Sequence, residues 1–84
     1  MSHIYSIQYS LKDDSILLER IKSLGIWMSY FPNNIFVKST LEAREVYNKI
    51  SVGYETDRIL IIEVVKTSYW GVMPKDVWEW LKSS

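Results

Sequence analysis

The sequence predicts an α+β domain organised around one antiparallel sheet, and three observations carry that prediction. Ile59-Leu60-Ile61-Ile62-Glu63-Val64-Val65 is the longest apolar run and is rich in β-branched residues, which favour a pleated strand. The segment from His3 to Leu11 alternates apolar and polar positions with the period of a strand. Between such segments lie two stretches whose apolar residues recur at helical spacing.

In chain order, Tyr5, Ile7, Tyr9 and Leu11 fall on one side of the first strand, with Ile4, Ser6, Gln8 and Ser10 on the other. Asp13 or Asp14 then caps a helix with Leu17, Ile21 and Leu24 along one face. Gly25 stands where a left-handed residue commonly ends such a helix. Residues 26–31 and Ile35-Phe36-Val37 favour strand, and Pro32-Asn33-Asn34 between them has the chemistry of a tight turn, which predicts a hairpin. Ser39-Thr40-Leu41-Glu42 fits a capping box with Ser39 as N-cap. It opens a helix with Ala43, Val46, Tyr47 and Ile50 on its buried side and a Glu45–Lys49 pair one turn apart outside. Gly53 ends that helix, and the Ile59–Val65 strand follows.

The order strand, helix, strand, strand, helix, strand is the ferredoxin-like, or split βαβ, pattern, with both helices on one face and the last strand at an edge. An apolar edge strand needs cover. Residues 67–84, a C-terminal extension of the single domain 1–84, are expected to supply it. Within them Tyr69-Trp70-Gly71-Val72 reads as a fifth strand and Pro74 as the start of a short helix presenting Val77, Trp78 and Leu81. Folding back onto its own subunit would leave the face with Ile4, Gln8 and Ser10 uncovered, so the extension is expected to reach a second copy in a homodimer. The expected interface takes in Ile4, Gln8, Ser10, Ile59, Ile61, Tyr69 and Trp70.

Composition narrows the function classes. The 84 residues are 48% hydrophobic, with four Trp and six Tyr, so the chain is globular and its aromatic rings exceed what a small core requires. Without cysteine, and with His3 as its one histidine, it has no thiolate or histidine-cluster metal site and no ready Ser-His-Asp arrangement. Ten basic residues balance ten acidic ones, so no global field draws nucleic acid. Neither a signal-peptide pattern nor an apolar run of about 18 residues is present, and a cytoplasmic protein outside the membrane is expected.

Few residues suggest chemistry. Asp13 and Asp14 beside Ser10 form a weak candidate for a hard cation, against the plainer reading of a helix cap. Asp76 and Glu79 read as a solvated helix face, and Glu63 as a charge protecting the edge strand. His3 reads as an ordinary strand-start residue. Trp70, Trp78 and Trp80 are of a type that stacks nucleobases, but only Lys66, Lys75 and Lys82 lie near them, and packing is the preferred reading. Gly25, Gly53 and Gly71 are isolated and make no phosphate loop.

One ordered set of segments runs through the chain: Ile4-Tyr5-Ser6-Ile7-Gln8-Tyr9-Ser10-Leu11, Ser23-Leu24-Gly25, Ile26-Trp27, Ile35-Phe36-Val37, Asp57-Arg58-Ile59-Leu60 and Trp78-Glu79-Trp80-Leu81-Lys82. By this set the whole chain resembles small ferredoxin-like proteins related to the CRISPR adaptation endoribonuclease and the VapD-type ribonucleases, whose relatives often carry a SinR-like label. The resemblance implies a homodimer in which C-terminal segments extend the partner's sheet. It also implies a metal-dependent nuclease site in which the first strand ends Tyr-Asp and the aspartates of two subunits hold a divalent cation. Here that pair is Tyr9-Ser10, and serine binds Mg²⁺ poorly without carboxylate help.

The expectation is therefore a non-catalytic homodimeric module with no cofactor, binding nucleic acid or a partner protein in a mobile-element or defence setting. One alternative is a metal-dependent endoribonuclease with a displaced Mg²⁺ site built from Ser10, Asp13 and Asp14. The other is a purely structural dimer that binds only protein.

Overall fold

The computed structural model describes residues 3–64 and 71–82, with Tyr30 described by its backbone only. The elements run β1 (His3–Ser10), α1 (Ser15–Lys22), β2 (Trp27–Phe31), β3 (Asn34–Ser39), α2 (Ala43–Ile50), β4 (Arg58–Glu63) and α3 (Lys75–Lys82). The four strands form one sheet in the order β2-β3-β1-β4, with every neighbouring pair antiparallel. This is an α+β arrangement consistent with a ferredoxin-like fold.

Alternation along β1 divides the protein into two layers of core. Tyr5, Ile7 and Tyr9 join Ile35 and Val37 of β3 beneath Leu17 and Ile21 of α1 and Val46 and Ile50 of α2, all buried. Tyr5 lies too deep for water to satisfy its phenol, which donates instead to the Leu41 carbonyl at 2.6 Å. Burial holds its pKa above the ordinary tyrosine value. On the other side of the sheet Ile4 and Met28 pack under Val77 and Leu81 of α3.

That second layer corrects one step of the sequence argument. Ile4 is 2% exposed because α3 of its own chain covers it. Val77 and Leu81, four residues apart, form the required stripe. Intramolecular return therefore leaves only part of the face open, at Gln8 and Ser10, which are exposed. Of the expected fifth strand, Gly71 and Val72 form no regular element and Val72 is 98% exposed. Tyr69 and Trp70 lie outside the described residues, as do Val65 and Lys66.

Local details depart from expectation where a backbone contact or a competing hydrogen bond intervenes. Asn33 takes the left-handed turn conformation at φ 58°, as the hairpin requires. Gly25 does not. It is glycine because a Cβ there would meet the Lys38 carbonyl oxygen at 2.0 Å, where the α1–β2 connection crosses the end of β3. The adjoining backbone bond from Lys38 N to Ile26 O, at 2.8 Å, fixes that crossing. Helix α2 begins later than Ser39-Thr40-Leu41-Glu42 suggested: Glu42 is its N-cap, and the Glu45 carboxylate reaches back to the Glu42 amide at 3.2 Å. Ser39 instead accepts the Leu41 amide. With Glu45 so engaged, the expected Glu45–Lys49 pair does not form.

Two cations close helix C-termini, where unbonded carbonyls gather negative potential. Arg20 of α1 donates through Nη1 to the carbonyls of Ile50 and Val52 at the end of α2 and stacks over Tyr54. Lys38 of β3, only 9% exposed, donates to the Trp80 carbonyl at 2.7 Å and lies 4.4 Å from the centre of the Trp80 ring. Arg20 thus ties the two helices of one layer, and Lys38 ties α3 to the other face of the sheet.

Candidate functional site

The residues singled out for chemistry lie at or just after the end of β1, and the pairing of β1 with β4 sets the direction of Ser10. Ser10 lies opposite Arg58 and Gln8 opposite Leu60, all on the face of the sheet away from α1 and α2. Together with Asp57 they line an open notch of about 430 Å³. Tyr9 points the other way, into the helix layer, and its hydroxyl donates to Asp14 Oδ2 at 2.6 Å. Asp14 is thereby held on the opposite side of the sheet from Ser10. Burial, followed by the hydrogen bond and charge of Asp14, pushes the Tyr9 pKa well above its ordinary value.

Asp13 is committed elsewhere again. Its Oδ1 accepts both the amide of Ser15 at 3.1 Å and the Ser15 hydroxyl at 2.8 Å, a local turn that leads into α1. These two bonds hold its pKa below the usual aspartate value. Asp14 occupies the N-cap position without a side-chain capping bond, so the two acids divide the work expected of one. Ser10, Asp13 and Asp14 consequently do not converge. Among the described residues no group of three His, Cys, Asp or Glu side chains is placed to hold a metal ion. A hydroxyl facing a guanidinium across the strand pair is a poor fit to a divalent cation, since Arg58 brings positive charge to the same end of the sheet.

The expected interface residues separate in the same way. Ile59 and Ile61 stand opposite Tyr9 and Ile7 on the helix side, half-buried against that core. On β4 it is Leu60 and Ile62, 53% and 49% exposed, that share a face with Gln8 and Ser10. Beside Ile62 a groove of about 350 Å³ runs between the sheet and α3, lined by Phe31, Phe36, Met73 and Trp78, with Ser6 and Gln8 as its polar groups. Phe31 in that lining is 50% exposed. Leu60 and Ile62 were visible in the sequence as an apolar pair, but only the β1–β4 register shows which face they occupy.

The remaining candidates have structural roles. Trp78 lines the groove and Trp80 packs against Lys38, so both are held by α3 packing. Glu79 lies 3.8 Å from Lys75 on the exposed side of α3. Glu63 pairs within the chain, its Oε2 2.9 Å from His3 Nδ1, while Glu42 stands 3.8 Å from His3 Nε2. His3 therefore links the strand pair to the start of α2, a role that composition alone did not signal. Among the described residues no helix is long and apolar enough to cross a membrane. No family model, curated protein or solved structure matches the chain.

Proposed function

We propose that this chain is a non-catalytic homodimeric module of ferredoxin-like βαββαβ topology whose subunits meet through the sheet face beside β4. The observation that carries this reading is a largely apolar groove on that face lined by the half-exposed Phe31 and Ile62, with half-exposed Leu60 next to Ile62 along β4. Contiguous apolar surface of this kind marks an interaction site more often than isolated exposed residues do. A second copy is the favoured occupant because a twofold contact places the same patch on both partners, and the molecule carries no net charge to oppose self-association. Gln8, Ser10 and Arg58 then form a polar rim. The mobile-element or defence setting rests on the sequence resemblance alone.

Light scattering on wild type and on a Leu60→Lys/Ile62→Lys variant tests the assembly. Wild type is expected at twice the chain mass at micromolar concentration, and the variant at one chain mass with an unchanged far-UV spectrum. A monomeric wild type at about 100 μM, weaker than a Kd of that order allows, would sink the proposal. The non-catalytic part is tested with labelled RNA and DNA in Mg²⁺ or Mn²⁺. Intact substrate is expected; cutting that disappears in an Asp13→Ala/Asp14→Ala variant would establish a displaced metal site. Retention of uncut strands would add nucleic acid to the partners.

A further inference from the structure

On the side of the molecule away from that face, α1 and α2 enclose a second notch, of about 330 Å³, lined by Arg20, Ser23, Leu24, Leu41 and Lys49. Two of these side chains are cations and none is an acid. Arg20 is held in place: both bonds from its Nη1 go to the carbonyls that close α2, and Tyr54 backs it. A guanidinium has five N–H donors, so this anchoring leaves others for a ligand and fixes their plane in advance. Lys49 approaches from α2. Its natural helical partner, Glu45, is turned back onto the Glu42 amide, and Lys49 forms no ion pair or hydrogen bond with any described residue.

Arg20 and Lys49 line one recess with Leu24 and Leu41, and two like charges sharing a recess are relieved by an anion between them. We infer that this notch binds a phosphate group, free or as the phosphomonoester of a small molecule. A phosphomonoester carries close to two negative charges at neutral pH, matching two cations. Arginine supplies the directional, planar donor set, and lysine the mobile point charge. The Ser23 hydroxyl donates to the Arg20 carbonyl, so recognition falls to the two cations.

Titration of the isotopically labelled protein with inorganic phosphate, and separately with a nucleoside monophosphate, at constant ionic strength tests the site by amide chemical shifts. Saturable shifts are expected at Arg20, Ser23, Leu24 and Lys49. Lys49→Gln is an exposed change that leaves the Arg20 anchor intact, and should weaken binding about tenfold or more. Lys22→Gln should leave binding unchanged, since Lys22 lies over the Trp27 ring and outside the notch. Shifts that do not saturate, that include Lys22 equally, or that are the same in Lys49→Gln would overturn the assignment. Equal affinity for both probes identifies free phosphate as the ligand; tighter binding of the monophosphate identifies a nucleotide.

Discussion

Replacing Gly25 with alanine should destabilise this domain more than any other single-methyl addition at a glycine. The added Cβ would sit 2.0 Å from the Lys38 carbonyl oxygen, about an ångström inside the closest approach that such atoms tolerate. The obstacle is backbone in β3, so no side chain can rotate away, and the α1–β2 connection must lift off the strand. Lifting it breaks the 2.8 Å bond between Lys38 N and Ile26 O. Overpacking of this kind costs about 1–3 kcal/mol and a lost backbone bond about 1 kcal/mol more. The sum is a large part of the ~4–13 kcal/mol that holds a domain of this size together.

A urea titration followed by circular dichroism measures it, and in a thermal scan the melting point should fall by roughly 10–25 °C. Because Lys38 also anchors α3 at Trp80, near-UV signals from tryptophan should weaken along with stability. Gly53→Ala is the control: its φ of +87° strains any side chain, but nothing stands within 4 Å of the added atom. That variant should lose only about 1–2 kcal/mol. If Gly25→Ala loses less than Gly53→Ala, close approach is not why glycine occupies position 25.

Other consequences follow from the two cations and from the tyrosine–aspartate contact. Lys38→Met keeps the bulk of the side chain but removes its bond to the Trp80 carbonyl; it should cost about 1.5–3 kcal/mol and shift tryptophan emission to the red as α3 loosens. Unchanged emission would show that Val77 and Leu81 hold the helix unaided. The raised pKa of Tyr9 means that the folded state keeps a proton the unfolded chain releases near pH 10. Its contribution is complete below that pH and is lost as pH rises toward the folded value, so Tyr9→Phe should flatten the alkaline limb of a stability–pH curve. Asp13 acts in the opposite sense: its lowered pKa favours folding above the ordinary aspartate range and fades as pH falls through the folded value, a dependence that Asp13→Asn should remove.

What the sequence determined was local. Period-two alternation from His3 to Leu11, β-branched content in the Ile59–Val65 run and helical spacing of Leu17, Ile21, Val46, Ile50, Val77 and Leu81 each pointed to an element, observed as β1 (His3–Ser10), β4 (Arg58–Glu63) and the three helices, because burial of one face leaves a periodic trace in the chain itself. Asn33 disclosed its turn for the same reason, its conformation being a property of that residue and its neighbours. The departures lie where two distant segments meet. Whether Ile59 and Ile61 or Leu60 and Ile62 share the open face with Gln8 depends on strand register, which one residue of slip would invert.

The covering of Ile4 by α3, the Gly25 contact with Lys38 and the pairing of His3 with Glu63 join residues far apart in the chain, and no periodicity records such encounters. The same holds for the candidate site. Ser10, Asp13 and Asp14 are neighbours in sequence, yet Tyr9 draws Asp14 to one side of the sheet while Ser10 faces the other. Which side chains were available followed from the sequence; the strand pairing and the hydrogen bonds formed on folding decided which of them face one another, because a strand sends successive side chains to opposite sides.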